Sequence, residues 1–376
     1  MLINRKALEK LKRLLAPNKI IVIYGPRRVG KTTLLKTFLE KNKEPYLLLN
    51  GDELDTREKI NVQSVAKLKN IVGEKKLLII DEAQKIENIG LNLKIMIDNI
   101  DNLKIIATGS SAFDLANQIG EPLVGRKFTL LMYPLAQIEI GKTENIIETG
   151  ANLENRLIYG AYPEIISAKD NLLKQDKLKE IINSYLYKDI LELDGIKHSN
   201  KIYRLLQLLA FQIGKEVSLN ELGRQLEINR KTVERYLELL EKSFVIKNFM
   251  GFSRNLCKEI TKNHRYYFID NGIRNALIGN FNIISSRDDI GMLWENYIIM
   301  ERMKKQEYLN IYSNNYFWRT YDKKEIDLIE EREGKLFGFE IKWGKKSVKP
   351  PKDWLRTYKN AEFKLINQEN YLDFIT

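Results

Sequence analysis

The sequence predicts an α/β protein, and three segments carry that prediction. Lys19–Tyr24 is a run of β-branched and aromatic residues with no polar alternation after the lysine, which is typical of a strand buried on both faces of a parallel sheet. Leu77–Ile80 is a second apolar run of this kind, and acidic residues follow it directly. Near the end of the chain, Asp327 and Glu340–Lys342 lie on strand-like segments, which favours a second, smaller α/β unit.

The chain length allows more than one hydrophobic core. For 376 residues we expect three domains, with the divisions 1–195, 196–282 and 283–376. Hydrophobic residues make up 44% of the chain and charged residues 30%, which indicates a globular protein. The formal net charge of +12 suits an anionic partner, with nucleic acid as the first candidate. Lysine-rich helices that are merely solvated would give the same balance.

The location of the protein is predicted from what the sequence lacks. Cys257 is the single cysteine, so an intrachain disulfide is impossible and a reducing compartment is expected. No apolar run approaches the ~18 residues of a membrane span. The first residues have the pattern of a charged amphipathic helix rather than of a signal peptide. We therefore expect a cytoplasmic protein.

A phosphate-binding loop follows the first strand. The chain reads G-P-R-R-V-G-K-T and fits the pattern G-x-x-x-x-G-K-[ST] at every fixed position, between a strand and a helical segment. The glycines let successive backbone N–H groups point at phosphate oxygens, and the helix N-terminus adds its positive dipole end. Lys31 would reach the β- and γ-phosphates, and the Thr32 hydroxyl would bind Mg²⁺. The residues predicted to bind the nucleotide are Gly25, Pro26, Arg27, Arg28, Val29, Gly30, Lys31, Thr32 and Thr33.

Two acids lie where the second strand ends, which is where ligands bind in open α/β sheets. We expect Asp81 to hold Mg²⁺ through water and Glu82 to polarise the attacking water. Beyond the next apolar run, Ser110 is the favoured hydroxyl for contact with the γ-phosphate, and Thr108 is the second choice. A helix N-cap is the alternative role for either residue, because serine and threonine are common there.

Arg126 is a further catalytic candidate. It follows L-V-G and precedes another strand-like run. An arginine at this point can act as a finger on the nucleotide of a neighbouring subunit, which would require an oligomer. A surface arginine at the start of a strand fits the same pattern, and periodicity does not choose between the two.

Together these motifs resemble a prokaryotic group of AAA ATPases. The matching segments are G-P-R-R-V-G-K-T-T, I-I-D-E-A-Q, T-G-S-S and V-G-R followed by Y-P-L, and the resemblance covers essentially the whole chain. It implies ATP as the nucleotide, a helical lid after the core, and a C-terminal domain that is often related to restriction endonucleases. The Gly-Arg segment recurs in that group, which favours a catalytic role for Arg126. Arg156, in the expected lid, is assigned to a solvated helix face in preference to the γ-phosphate.

The middle of the chain predicts a winged helix-turn-helix. Ile202–Ile213 and Arg230–Lys242 have helical spacing, Ser218 and Glu221 form a capping box before another helix, and short strand candidates follow within 244–249. In that fold the third helix enters the major groove of DNA. The residues expected to contact DNA are Arg230, Lys231 and Arg235. Winged helices also serve as packing modules, and the glutamates on this helix favour that alternative.

The last part of the chain contains a D-x₁₂-E-x-K spacing, which is that of the PD-(D/E)xK nuclease core. Glu340 and Lys342 share one face of a strand because they are two residues apart. Asp327 and Glu340 would bind Mg²⁺, together with Glu295 from the preceding helix. Lys342 would orient the attacking water or stabilise the developing charge. DNA phosphodiesters are the expected substrate, and many members of the resembling group keep these residues.

The sequence as a whole predicts an ATP-hydrolysing protein that acts on DNA. Its expected parts are an AAA-type core with its lid (1–195), a winged helix (196–282) and a restriction-endonuclease-like domain (283–376). The basic segment 345–352 would track DNA phosphates, or it is a solvated loop. The alternative is an ATP-dependent switch or partner-binding module with an inactive nuclease-like domain. The cofactors expected are ATP and Mg²⁺.

Overall fold

The computed structural model of the protein describes residues 3–109, 123–192, 199–253, 264–320, 324–344 and 347–376, with the backbone alone for 184–192 and 199. Ser110 lies outside the described residues, so its expected contact with the γ-phosphate stays a prediction. Residues 345 and 346 of the basic segment lie outside them as well.

A five-stranded parallel sheet forms the N-terminal part, in the order β2-β3-β4-β1-β5. This confirms the predicted parallel sheet. Because β4 lies between β1 and β3, the carboxyl ends of these three strands meet at one edge of the sheet. The strands are β1 (Lys19–Tyr24), β2 (Tyr46–Asn50), β3 (Leu77–Asp81), β4 (Lys104–Gly109) and β5 (Lys127–Leu131).

β1 is buried on both faces because its side chains alternate between two hydrophobic cores. Ile21 and Ile23 pack in one core with Leu34 of the following helix. Ile20 and Val22 pack in the core on the opposite face. A strand with two buried faces has no place for polar side chains, which explains its continuous apolar sequence. The helices of this part are α1 (Lys6–Leu14), α2 (Lys31–Glu40), α3 (Leu54–Ile60), α4 (Val65–Val72) and α5 (Ile89–Asn99).

A helical layer follows the first sheet. The predicted cap of one of its helices is present, since the Ser218 hydroxyl accepts a hydrogen bond from Glu221 N at 3.3 Å. The helices are α6 (Gln137–Ile140), α7 (Ile146–Ala151), α8 (Leu153–Tyr159), α9 (Pro163–Ile166), α10 (Asn171–Glu192), α11 (Ser199–Phe211), α12 (Leu219–Leu226), α13 (Arg230–Lys242) and α14 (Asn271–Leu277).

The expectation for Arg156 is wrong. The residue lies on α8, but it is buried instead of facing solvent. Its guanidinium forms an ion pair with Glu144 and donates a hydrogen bond to the Thr149 carbonyl at 3.2 Å. A charged group that is buried requires such partners, so the side chain is committed to the helical layer.

A seven-stranded mixed sheet forms the rest of the molecule, in the order β12-β11-β10-β9-β7-β8-β6. The expected pair of short strands within 244–249 is wrong. Ile246, Asn248 and Phe249 lie in a single strand, β7, whose antiparallel partner is β8, whereas Phe244 and Val245 precede that strand. The strands are β6 (Glu216–Val217), β7 (Ile246–Gly251), β8 (His264–Phe268), β9 (Asn314–Arg319), β10 (Glu325–Arg332), β11 (Lys335–Ile341) and β12 (Ala361–Ile366).

This second sheet runs across the expected boundary between 282 and 283. β7 and β9 pair in parallel through Met250 with Tyr316 and Gly251 with Phe317. The two parts therefore share backbone hydrogen bonds as well as a core, and the proposed division and the winged-helix identification stay predictions.

The remaining helices are α15 (Ile290–Leu309), α16 (Lys352–Thr357) and α17 (Tyr371–Ile375). α15 packs against both the second sheet and α1, so it spans the space between the two halves of the molecule. Among the described residues, no helix combines the length and the apolar character that crossing a membrane would need.

Candidate nucleotide site and acidic cluster

The two glycines of the phosphate loop are both required by its shape. Gly25 has a φ of 155°, and a Cβ there would lie 2.1 Å from the Met132 carbonyl oxygen. Gly30 has a φ of 93° and begins α2 in the left-handed region, which other residues rarely adopt. Any other residue at Gly25 would push the loop away from the strand beside it.

Lys31 is held against its own loop. Its Nζ donates hydrogen bonds to the Gly25 carbonyl at 2.8 Å and to the Pro26 carbonyl at 3.0 Å. The side chain is buried, at 5% exposure. A phosphate oxygen would compete successfully with these carbonyls for the Lys31 ammonium group. Its negative charge makes the hydrogen bond to the lysine stronger than a carbonyl can.

The predicted metal-binding pair is in contact. Thr32 Oγ1 donates a hydrogen bond to Asp81 Oδ2 at 2.7 Å, which joins the start of α2 to the end of β3. The chemistry of a hydroxyl beside a carboxylate fits a hard divalent cation with oxygen ligands. The structure therefore brings together the two residues expected to hold the Mg²⁺ of a nucleotide.

Thr108 lies on β4, between β1, which leads into the phosphate loop, and β3, which carries Asp81. It is buried at the end of β4, and its hydroxyl donates a short hydrogen bond to Asp81 Oδ1. The same hydroxyl accepts a hydrogen bond from Glu82 N at 3.1 Å. Thr108 thus fixes both acids, which is a structural role that neither the γ-phosphate contact nor the N-cap alternative described.

Glu82 has a partner that sequence reasoning did not identify. Glu82 itself has a left-handed backbone, with a φ of 50°. Gln84 Nε2 donates a hydrogen bond to Glu82 Oε2 at 2.6 Å. The glutamine is present in the D-E-A-Q segment, but nothing in that pattern indicated that its side chain turns back toward the acid.

Arg28 connects the loop to the helical layer. Its Nη1 lies 3.2 Å from Glu164 Oε1 on α9, and its Nη2 lies 2.6 Å from Glu180 Oε1 on α10. The hydrogen bond with Glu180, followed by the contacts with Glu164, raises the pKa of Arg28. The expected lid helices therefore contact the nucleotide loop through an arginine of the loop itself.

Arg126 forms an ion pair within its own chain. Its Nε lies 2.6 Å from Asp98 Oδ1 on α5, and the side chain is 38% exposed. Exposed ion pairs of this type contribute little, about 0–1 kcal/mol. A role in a neighbouring subunit would require this weak pair to open, and it stays a prediction.

Three of the four residues expected to form the C-terminal site meet at Lys342, and the fourth, Glu295, is held by a tyrosine of β8. Lys342 Nζ lies 2.7 Å from Glu340 Oε1 and 3.4 Å from Asp327 Oδ2. Asp327 Oδ2 also accepts a hydrogen bond from Ile341 N at 2.8 Å. Glu295, on α15, accepts a hydrogen bond from the Tyr267 hydroxyl at 2.7 Å.

Burial changes the charge of this cluster. Burial and the neighbouring Asp327 carboxylate raise the pKa of Glu295 to about 8 and the pKa of Glu340 to about 7. Burial also raises the pKa of Asp327 itself. The pKa of Lys342 is raised as well: burial lowers it, but the Asp327 and Glu340 carboxylates outweigh burial. Perturbed acids that meet in one place are a signature of functional sites, although buried ion pairs produce it too.

Arg265 is the residue of this cluster that the sequence did not reveal. The side chain is buried on β8, and its Nη1 lies 3.9 Å from both Glu295 Oε1 and Asp327 Oδ1. Its Nη2 donates a hydrogen bond to Glu325 Oε2 at 2.8 Å, and its guanidinium lies 4.4 Å from the centre of the Phe317 ring. The protein thus places its own cation between two of the expected metal ligands.

The donor atoms fit a divalent cation only in part. Within the described residues, Glu340 Oε2 is buried without a hydrogen-bond partner, as a metal ligand awaiting its ion would be. The same part of the chain contains no group of three or more Asp, Glu, His or Cys side chains arranged to hold a metal. Binding of Mg²⁺ would require the carboxylates to move closer together.

The residues expected to contact DNA lie on the surface of α13. Arg230, Lys231 and Arg235 are exposed, but Arg230 Nε is paired with Glu234 Oε1 at 2.8 Å. A cavity of about 680 Å³ beside this helix is lined by several glutamates. The local charge is therefore mixed, and DNA contact stays a prediction.

Three protein families match successive parts of the chain. Residues 17–141 match the AAA domain family. Residues 150–283 and 290–369 match two families described as domains of unknown function, DUF8612 and DUF4143. The first match supports a P-loop ATPase, and the other two assign no activity.

Relatives are found in bacteria and archaea. An uncharacterised protein of Mycobacterium tuberculosis is 26% identical over 349 residues, which cover 91% of this chain and 74% of that protein. An uncharacterised protein of Methanocaldococcus jannaschii is 27% identical over 337 residues, which cover 84% and 73%. An uncharacterised ATP-binding protein of the same archaeon is 54% identical over 46 residues, which cover 11% of this chain and 78% of that protein. The last match supports ATP binding.

Among solved structures, the chain resembles a signal transduction ATPase with numerous domains and a tetratricopeptide repeat sensor from Pyrococcus horikoshii. The sequence identity is 14% and the TM-score 0.30, over 81% of this chain. Our chain spans 46% of that structure. A TM-score of this size carries no argument about fold or function.

Proposed function

Because residues 17–141 match the AAA domain family, we propose that the protein hydrolyses ATP and uses this reaction to act on DNA. The observation that carries the proposal is the presence of two sites of complementary chemistry in one chain. One is a phosphate loop with Thr32 against Asp81, and the other is the cluster of Asp327, Glu340 and Lys342. The net charge of +12 suits a polyanionic substrate.

At the first site, the residues of the chain have distinct roles. Lys31 would exchange the loop carbonyls for the β- and γ-phosphate oxygens. Glu82, oriented by Gln84 and by the backbone contact with Thr108, would accept a proton from the attacking water. Mg²⁺ held through Thr32 and Asp81 would neutralise phosphate charge.

At the second site, we propose hydrolysis of a DNA phosphodiester. Lys342 would orient the water or stabilise the charge that develops on the phosphate, because its Nζ already lies within 3.4 Å of both strand acids. Asp327, Glu340 and Glu295 would hold Mg²⁺, which would polarise the phosphate. The exposed side chains of Arg230, Lys231 and Arg235 and the basic segment 345–352 would contact the DNA backbone.

A cleavage assay tests this proposal. Wild type, Lys31→Ala and Lys342→Ala are incubated with Mg²⁺, ATP and either plasmid or single-stranded DNA, and both nicking and phosphate release are followed. Lys335→Ala is the matched control, because Lys335 is exposed at the start of the same strand, β11. We expect nicking in the wild type and in Lys335→Ala, and loss of nicking in Lys342→Ala. Absence of nicking together with absence of DNA-stimulated ATP hydrolysis, on both substrates, would contradict the proposal.

A second candidate function is favoured by the position of Arg265. A guanidinium between Glu295 and Asp327 supplies positive charge where a metal would supply it. The nuclease-like part would then be a scaffold, and the protein an ATP-dependent switch that binds a partner. Calorimetry with Mg²⁺ on the Asp81→Asn variant, which lacks the carboxylate expected to hold Mg²⁺ at the first site, distinguishes the two. Heat of binding that disappears in Asp327→Asn favours the nuclease, and no binding favours the switch.

A further inference from the structure

Arg5 is a largely buried arginine that none of the sequence motifs includes. It precedes α1, and its side chain is only 9% exposed. Its Nη1 donates a hydrogen bond to the Val29 carbonyl at 2.5 Å, and its Nη2 donates to the Tyr133 carbonyl at 2.6 Å. Val29 belongs to the phosphate loop, so a residue from the N-terminal segment contacts the backbone of the nucleotide site directly.

The hydrogen bond from Arg5 to the Val29 carbonyl fixes the orientation of the peptide group between Val29 and Gly30. The peptide bond between Val29 and Gly30 is planar and trans, so its C=O and its N–H point in opposite directions. Since Arg5 holds the carbonyl on its own side, the Gly30 N–H points away from Arg5. In a phosphate loop the backbone N–H groups bind the phosphates. A Cβ added to Gly30 would lie 3.8 Å from Arg5 Nη1, which places the guanidinium directly against the loop.

Glu139 fixes the guanidinium in this position. Glu139 is fully buried, and its Oε1 lies 3.0 Å from Arg5 Nε. The same carboxylate accepts hydrogen bonds from Lys6 N at 2.8 Å and from Ala136 N at 3.0 Å. A buried carboxylate with three donors has a single favourable orientation, and the planar guanidinium follows it.

Arg5 also contacts the C-terminal half of the molecule. Its Nη2 donates a hydrogen bond to the Tyr308 hydroxyl at 3.3 Å, and this hydroxyl accepts a second one from Tyr133 N at 3.2 Å. Tyr308 lies near the end of α15, and the same helix carries Glu295 of the acidic cluster. One side chain thus joins the nucleotide loop to the helix that supplies a residue of the second site.

We propose that Arg5 is a positioning residue for the phosphate loop, which turns the Gly30 N–H toward the nucleotide, and that it couples the loop to α15 through Tyr308. The inference rests on ATP binding at this loop, as in the proposed function. A change in the loop when nucleotide binds would move the Val29 carbonyl. Arg5 would then have to adjust its remaining hydrogen bonds, including the one to Tyr308.

The first test compares Arg5 with Arg13, since both contact residues at the C-terminal end of α15. Arg5→Met removes the contact with Val29. Arg13→Met is the matched control, since Arg13 Nη2 contacts Asn310 Oδ1 just beyond α15 at 3.2 Å but is exposed and lies away from the loop. We expect calorimetry to give a Kd for Mg-ATP that rises about tenfold in Arg5→Met and changes less than about twofold in Arg13→Met. Arg5→Lys, which keeps the charge but not the planar fork, should lie between them.

A role in stability alone would give a different result. It would lower the unfolding midpoint of Arg5→Met and Arg5→Lys while the Kd of each folded variant stayed at the wild-type value, and this would overturn the proposal. If Arg5→Met does not fold, Arg5→Lys gives the same decision. A wild type that binds no Mg-ATP would contradict the proposed function itself, and the inference about Arg5 would fail with it.

The second test addresses the coupling. Hydrogen exchange of 290–309 is measured with and without Mg-ATP in the wild type and in Tyr308→Phe, which removes the hydroxyl but keeps the ring. We expect ATP to change exchange in this helix in the wild type, and the change to disappear in Tyr308→Phe, whose Kd for Mg-ATP should stay within about threefold of wild type. An equal change in both proteins, or none in either, would overturn the coupling.

Discussion

The nucleotide site and the acidic cluster each contain a lysine and carboxylates, but the contacts of the two lysines differ. Lys31 Nζ donates hydrogen bonds to the Gly25 and Pro26 carbonyls, whereas Lys342 Nζ forms ion pairs with Glu340 and Asp327. An arriving phosphate at the first site replaces neutral partners with charged ones. A ligand at the second site must compete with ion pairs that already exist. The same residue types therefore give a site prepared for an anion in one case and a largely neutralised cluster in the other.

Substitution of Glu82 should lower the rate of ATP hydrolysis more than any other change considered below. The Glu82→Gln variant keeps the shape of the side chain and loses the carboxylate that accepts the proton, so ATP hydrolysis should fall by about 10²–10⁴-fold while ATP binding is kept. Phosphate release and calorimetry measure the two quantities. Glu87→Gln, an exposed glutamate shortly after the same strand, is the control and should leave both unchanged. Wild-type turnover in Glu82→Gln would assign the base elsewhere.

Thr108 tests whether the acids of the first site depend on a buried hydroxyl. Thr108→Val removes the partner of Asp81 and of Glu82 N. A buried group without its hydrogen bond costs about 1–3 kcal/mol, so the free energy of unfolding should fall by that amount. Urea denaturation measures it, and Thr108→Ser, which keeps the hydroxyl, should recover most of the loss. Equal stability of the valine and serine variants would show that the hydroxyl contributes nothing.

The acidic cluster should make the free energy of unfolding depend on pH. Burial raises the pKa of Glu340 to about 7, above the value of 4.5 that an unperturbed glutamate has. Between these pH values the folded state binds more protons than the unfolded state, so the free energy of unfolding falls as the pH rises. Urea titrations at pH 5 and pH 8 should show a smaller fall in Glu340→Gln than in the wild type. The exposed Glu362→Gln should behave as the wild type, and a parallel fall in all three proteins would contradict the charge assignment.

The smallest effect is expected on the DNA-binding surface. Lys231 is exposed on α13, and Lys231→Ala removes one expected phosphate contact. The slope of log K against log salt should become shallower by about one for duplex DNA of any sequence. Filter binding or fluorescence anisotropy at several salt concentrations measures this slope. An unchanged slope would indicate that α13 does not face DNA.

The nucleotide site could be predicted from the sequence because its chemistry is local. The loop between Gly25 and Thr32 is one continuous motif, and β3 carries Asp81 and Glu82 to the same sheet edge. The structure of such a short motif depends little on contacts with distant parts of the chain. The central strands β1, β3 and β4 were predicted for the same reason, since each is a short apolar run buried on both faces.

The features that could not be predicted depend on contacts between distant parts of the chain. Arg156 is buried in an ion pair with Glu144, which lies outside its helix, and Arg265 enters the acidic cluster because β8 and β10 lie in one sheet. The parallel pairing of β7 with β9 joins residues near 250 to residues near 316 across the expected domain boundary. β12 was missed for a different reason: its sequence, A-E-F-K-L-I, alternates apolar and polar residues as a half-buried edge strand does, and only continuous apolar runs had been assigned as strands in the first sheet.

Whether the phosphate loop is the nucleotide site is tested most directly by calorimetry of Mg-ATP binding to the wild type and to Lys31→Ala. Lys36→Ala is the control, because Lys36 is exposed on the same helix, α2. We expect binding in the wild type and in Lys36→Ala, and no measurable binding in Lys31→Ala. Binding of Mg-ATP to Lys31→Ala with wild-type affinity would contradict the assignment of this loop as the nucleotide site.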